Sequence, residues 1–151
     1  MGSTAQRQQE SRKTTARKIK MAKLNQDEIN GANWFRLRGD LIRDLGFKAM
    51  TGYAKSVYLG LFAEYTGTNN GALALPYGQA MKELGMARAT VSKAFTELEK
   101  GGFIQVTRQG NASLKSLYAL TCFPVNGDDK LSIKGTAKAS DNWKRKPKSE
   151  D

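Results

Sequence analysis

Three stretches of this chain repeat one apolar spacing in quick succession. Ala54, Val57, Tyr58, Leu61, Phe62 and Tyr65 fall at i, i+3, i+4, i+7, i+8 and i+11. Tyr77, Ala80, Met81 and Leu84 follow at i, i+3, i+4 and i+7, and Val91, Ala94, Phe95 and Leu98 repeat the same pattern. Such spacing gathers the apolar side chains on one face of an α-helix. Three short one-faced helices with brief connections must bury those faces against each other. The punctuation agrees. Thr51 stands where an N-cap belongs, and Gly85 and the pair Gly101-Gly102 stand where helices end in left-handed backbone.

The rest of the central region reads as β-structure and turns. Thr66 to Gly71 is a turn, rich in residues that tolerate left-handed backbone. Ala72 to Leu75 is a short strand candidate ended by Pro76. Phe103 to Arg108 and Leu117 to Phe123 are rich in β-branched and aromatic residues, and the polar run Gln109 to Ser116 between them makes a hairpin with a long loop. The expected class is α+β: a three-helix core with a C-terminal β-hairpin.

The flanks differ in composition. The net charge is +11, and residues 1–23, with seven bases and one acid, carry +6 of it. Almost nothing in that segment is apolar before Ile19, so 1–24 is expected to be a disordered basic arm, helical only near Thr15–Leu24. Asn25 to Glu28 has the spacing of a capping box, and Gly31 stands as a stop to the short helix it would start. Residues 25–50 read as an extension packed on the core or at a dimer interface, extended at first and helical from about Gly39 to Asp44. The domain proper is expected at 51–125 and a flexible charged tail at 126–151, with Trp143 as a loosely packed surface anchor.

Composition removes several function classes. There is no histidine and only one cysteine, Cys122, which leaves no internal disulfide, no His- or Cys-based metal site and no His-based catalysis. Cys122 reads as a small apolar strand residue. No phosphate loop, nucleophile elbow or metal-spaced carboxylate set occurs, so neither an enzyme nor a cofactor is expected. No apolar run approaches a membrane span, and the basic start lacks the apolar region of a secretory signal and the Ser or Thr a myristoylation signal needs at position 6. The expectation is a cytoplasmic, nucleoid-associated protein whose net charge directs it to polyanions.

The segment Leu84-Gly85-Met86-Ala87-Arg88-Ala89-Thr90-Val91-Ser92-Lys93-Ala94-Phe95-Thr96-Glu97-Leu98-Glu99-Lys100-Gly101-Gly102-Phe103-Ile104 resembles the helix-turn-helix of bacterial winged-helix regulators of the GntR and MarR kinds. It is also similar to small winged-helix proteins of phages and other mobile elements. A turn, a Thr-Val pair, an apolar residue soon after and a Leu-Glu-x-x-Gly stop carry the likeness, which spans about 51–123. One departure stands out: Ala87 occupies the position that usually holds a Ser N-cap.

The resemblance implies a winged helix-turn-helix that binds double-stranded DNA, with helix 88–100 in the major groove. With Val91, Ala94, Phe95 and Leu98 inward, the outer face offers Arg88, Ala89, Thr90, Ser92, Lys93 and Thr96. Arg88 suits guanine or a phosphate, Ala89 a thymine methyl, Thr90 and Ser92 short hydroxyl contacts, and Lys93 phosphate. Glu97 and Glu99 sit toward the far end. The wing residues Arg108, Gln109, Asn111, Ser113 and Lys115 lie in a stretch, Ile104 to Phe123, without a single acid. They are expected along the minor groove or backbone. Arg12, Lys13, Arg17, Lys18 and Lys20 of the arm are expected to track phosphates.

The expected role is a sequence-preferring transcriptional regulator of a mobile or accessory element. A replication or partition accessory protein of a plasmid or phage, and a nonspecific architectural nucleic-acid binder, are the alternatives. A homodimer is admitted, with residues 33–50 and the 51–65 helix as candidate surfaces. No small-molecule ligand is expected, because no ligand-binding domain follows the wing.

Overall fold

A computed structural model of the chain describes residues 3–27 and 35–144, with side chains throughout except those of 16–27. The chain forms two compact units, 1–34 and 35–151.

The described residues of the first unit form one helix, α1 (Thr4–Asp27). This differs from the expected arm, which was to be helical only near Thr15–Leu24. The physical reason is local. No Gly or Pro interrupts residues 3–27, and Ala, Gln, Arg, Lys and Glu, which lose little side-chain freedom in a helix, dominate them. The start is capped reciprocally. The Ser3 N–H donates to Gln6 Oε1 at 2.9 Å, and the Gln6 N–H donates to Ser3 Oγ at 3.4 Å. The capping box therefore stands at Ser3, not at Asn25, which lies inside α1. Glu28 and Gly31 fall outside the described residues.

The second unit is α+β. Its helices are α2 (Gly39–Arg43), α3 (Leu45–Ala49), α4 (Gly52–Glu64), α5 (Tyr77–Leu84) and α6 (Arg88–Lys100). Strands β1 (Ile104–Arg108) and β2 (Leu117–Leu120) pair antiparallel, with Ile104 opposite Leu120 and Val106 opposite Tyr118. A short 3-10 turn covers Asn142–Lys144.

The three periodic helices bury the faces their spacing predicts. Ala54, Val57, Tyr58, Leu61 and Phe62 of α4, Ala80 of α5, and Val91, Ala94, Phe95 and Leu98 of α6 are buried in one core. Tyr65, Tyr77, Met81 and Leu84 pack at its edge, half-buried. The core is wider than 51–125. Leu41, Phe47 and Met50 belong to it, and so does Trp143. Residues 35–50 therefore pack on the domain.

The expected strand 72–75 is reduced to one bridge, in which Leu73 and Tyr118 exchange both backbone hydrogen bonds. The turn at Asn69–Gly71 and the proline at 76 leave too few residues for more. The next position along the outer edge of β2 is filled by a side chain. Asn70, fully buried, donates from Nδ2 to the carbonyls of Leu120, Pro124 and Phe123 and accepts from the Leu120 N–H at 2.7 Å. Its amide thus imitates the peptide group that a longer third strand would supply. Its own N–H is taken by Asn126 Oδ1 at 2.9 Å. Thr107, the extra residue at the β1 bulge, donates its hydroxyl to the Gly71 carbonyl.

The segment expected as a flexible tail is also corrected. Residues 126–144 lie on the domain, and Trp143 is only 6% exposed. Its indole stacks on Phe103 with centroids 6.5 Å apart and donates to Asp141 Oδ1 at 3.2 Å. Arg38 covers its ring at 5.4 Å and pairs with both Asp141 and Asp40. The tail fits because residue 102 is glycine. A Cβ there would lie 2.6 Å from the Asn142 carbonyl oxygen, and φ is +77°. Composition alone reads 126–151 as solvated, because charge hides one well-placed tryptophan.

Two outcomes follow. Asn70→Ala should lower stability by about 2–4 kcal/mol, since several buried backbone groups lose their partners, as measured by urea denaturation. The second concerns acid. The Arg38 hydrogen bond holds the exposed Asp40 carboxyl below its ordinary value. A lowered folded-state pKa gives stability that is present above the unfolded value, near pH ~4, and is lost as pH falls through the folded value. The melting-temperature gap between wild type and Arg38→Gln should therefore narrow from about pH 5 to about pH 2.

Candidate nucleic-acid interface

Helix α6 decides what the surface presents, and three features hold it. Its C-terminus closes in a Schellman turn: the Phe103 N–H donates to the Leu98 carbonyl and the Gly102 N–H to the Glu99 carbonyl, with Leu98 and Phe103 both buried. Its Glu97 reaches the start of α4. The carboxylate accepts from the Thr51 N–H at 2.7 Å and the Thr51 hydroxyl at 2.8 Å, while Thr51 Oγ1 accepts from the Ala54 N–H. One acid of α6 therefore completes the N-cap of α4, and spacing alone does not reveal that task.

The third feature is a row of rings. Tyr77 stacks on Phe95 at 5.6 Å, and Phe95 stacks on Tyr118 of β2 at 4.9 Å. The Arg88 guanidinium lies over the outer face of Tyr77, 5.5 Å from its centroid. The row runs from the hairpin through the core to Arg88. Tyr77 was expected only as a core residue, because α-helical periodicity says which face it shares but not which cation lies over its ring.

The connection from α5 to α6 is three residues long. Gly85 is left-handed at φ 64°, Met86 is buried, and Ala87 has the extended backbone of an N-cap but no capping side chain. The first N–H groups of α6 thus have no side-chain acceptor at Ala87.

The outer face of α6 holds the expected residues in two places. Arg88 lines a cleft of about 420 Å³ that also takes Gln109, Asn111, Leu114 and Lys115 from the hairpin loop and Gly78 of α5. Ser92, Lys93 and Thr96 line a separate shallow hollow with Glu97 and Lys100. Ala89 and Lys93 are exposed, and Thr90 and Ser92 are half-buried. The Thr96 hydroxyl donates back to the Ser92 carbonyl at 3.1 Å.

The loop has internal order. Asn111 Oδ1 accepts from the N–H groups of Ser113 and Leu114, and the Asn111 N–H donates to the Leu114 carbonyl. Ser116 Oγ accepts from the Gly110 N–H at 2.9 Å. Arg108 Nη2 donates to the Lys115 carbonyl, and its Nε is buried without an acceptor. Asn111 therefore shapes the loop as well as lining the cleft, whereas the half-buried Arg108 braces the loop and is not part of the cleft lining. Gln109, Ser113 and Lys115 are exposed.

Among the described residues the ion pairs join Arg38 and Lys144 to Asp40 and Asp141, and none involves Arg88, Lys93, Arg108 or Lys115. Arg88 lies instead over Tyr77, and Arg108 donates to the Lys115 carbonyl. In the other unit, Arg12 and Lys13 are exposed on α1, while the side chains of Arg17, Lys18 and Lys20 fall outside those described. No described helix is long and apolar enough to cross a membrane.

Comparison with protein-family models, curated proteins and solved structures returns no match to this chain.

The bare N-cap makes a simple test. Ala87 already has the backbone a cap needs, so Ala87→Ser should stabilise the protein by about 1 kcal/mol, read as a higher urea midpoint at unchanged slope.

Proposed function

We propose that this chain is a winged helix-turn-helix protein that binds double-stranded DNA, with α5 and α6 as the helix-turn-helix and the β1–β2 hairpin as the wing. Helix α6 enters the major groove by its N-terminal half, and the 109–116 loop follows the minor groove or backbone. The reading is of a sequence-preferring regulator rather than an enzyme. The observation that carries it is the cleft shared by Arg88, Gln109, Asn111 and Lys115. It joins the start of an exposed helix to an acid-free loop, and its cations have no ion-pair partner in the described protein.

Physical arguments support this assignment of roles. A major groove admits one helix, and the residues free to meet base edges are those left over when Val91, Ala94, Phe95 and Leu98 are buried. Arg88 is held over Tyr77 yet exposed, which pre-orients a planar fork of donors. The free N–H groups and dipole of α6 favour phosphate. Lys93 and Lys115 add charge without direction.

A second reading, nonspecific binding led by the N-terminal unit, draws on the +6 charge of residues 1–23 and the polar surface of α1. A titration separates the two. Wild type, Arg88→Ala and a deletion of residues 1–24 are bound to random duplex and to sequences selected from a random pool. Arg88→Ala should lose about 1–3 kcal/mol on selected sequences and little on random ones. With about six phosphates neutralised, the log–log salt slope of wild type should be roughly −5, and the deletion should flatten it. Loss of binding in the deletion alone favours the second reading, and absence of binding at low salt removes both.

A further inference from the structure

The loop carries a residue that the electrostatic account does not use. Leu114 is 50% exposed at the hairpin tip, between Ser113 and Lys115. Other exposed large apolar residues exist, among them Leu45, Tyr53 and Leu59, but among the described residues Leu114 alone of these lines the cleft with Arg88. Its backbone is fixed from both sides: its N–H donates to Asn111 Oδ1 at 3.0 Å and its carbonyl accepts from the Asn111 N–H at 2.9 Å. Gly110 passes so close that a Cβ there would lie 2.5 Å from the Leu114 carbonyl oxygen. Ser116 and Arg108 brace the two arms of the loop. Loop tips are ordinarily polar and mobile. This one is ordered around an apolar side chain that is half exposed in the free protein.

We propose that Leu114 is an apolar contact to DNA, its side chain lying in the minor groove against deoxyribose and base edges while Lys115 holds a phosphate beside it. The proposal rests on the DNA-binding reading and adds to it a contact of a different kind. A minor groove has charged phosphates at its rim and deoxyribose along its walls, and apolar side chains enter it between base steps. The acid-free loop matches the rim, and Leu114 matches the sugar walls. A lipid surface also pairs apolar and anionic groups, but it is flat, whereas Leu114 and Arg88 line one concave cleft.

The two kinds of contact respond differently to salt. Neutralising phosphates releases counterions, and burying a leucine does not. Full-length wild type, Leu114→Ala, Leu114→Met and Lys115→Ala are titrated with A·T-rich duplex from low to high salt. Leu114→Ala should weaken binding roughly 5–20-fold at every salt concentration, giving a line parallel to wild type. Leu114→Met should recover most of that loss, and Lys115→Ala should reduce the slope by about one. A small molecule that fills A·T minor grooves should weaken wild type more than Leu114→Ala. If wild type binds duplex and Leu114→Ala matches it, or changes the slope as Lys115→Ala does, the leucine contact is overturned while DNA binding stands. If wild type ignores duplex but binds phosphatidylserine-containing vesicles through Leu114, the DNA reading falls together with it.

Discussion

Burial of the inner face of α6 is the constraint from which the rest of the domain follows. Val91, Ala94, Phe95 and Leu98 are almost wholly removed from solvent, against α4, α5 and the start of β1. Burying four apolar side chains is worth several kcal/mol, of the order of the net stability of a small domain. A helix so held cannot rotate, because a turn of 100° would bring Ser92, Thr96 and Glu99 into the core. Its outward face is therefore a consequence of its inward one. The Schellman turn at Gly102 and the Glu97 contact to Thr51 then set where the helix ends and how it meets α4.

The hairpin is tied to the helical core by two unlike devices. One is apolar, the row of rings from Tyr118 through Phe95 to Tyr77, with Arg88 at its outer end. The other is polar and buried: the Asn70 amide satisfies the edge of β2 where a third strand would have run. A two-stranded ribbon alone is marginal in water. Fastened at both places, it presents its loop at a defined position beside the first turn of α6. Side chains placed in advance in this way lose less entropy on binding a partner.

Much of this was legible in order of residues. Helical spacing identified α4, α5 and α6 and their buried faces, because periodicity reflects a one-dimensional pattern that any packing must respect. Gly85, Thr51 and Gly101-Gly102 marked helix ends because each answers a local backbone need. Ala87 declared itself as a missing cap. The extent of α1 differs from the expected arm because propensity and a Ser3–Gln6 cap, rather than burial of an apolar face, decide its backbone.

The sequence by itself determined helices α4, α5 and α6, the faces they bury and the acid-free hairpin between Ile104 and Phe123. Only the tertiary structure decided which distant residues meet: Glu97 on Thr51, Arg88 over Tyr77, Asn70 against Leu120, and Trp143 on Phe103 across Gly102. The physical reason is that periodicity and capping are local rules with ranges of a few residues. A hydrogen bond or ring contact between residues dozens of positions apart depends instead on the angles at which whole elements pack. Those angles are set by the shape of the complete core, and no single segment carries them.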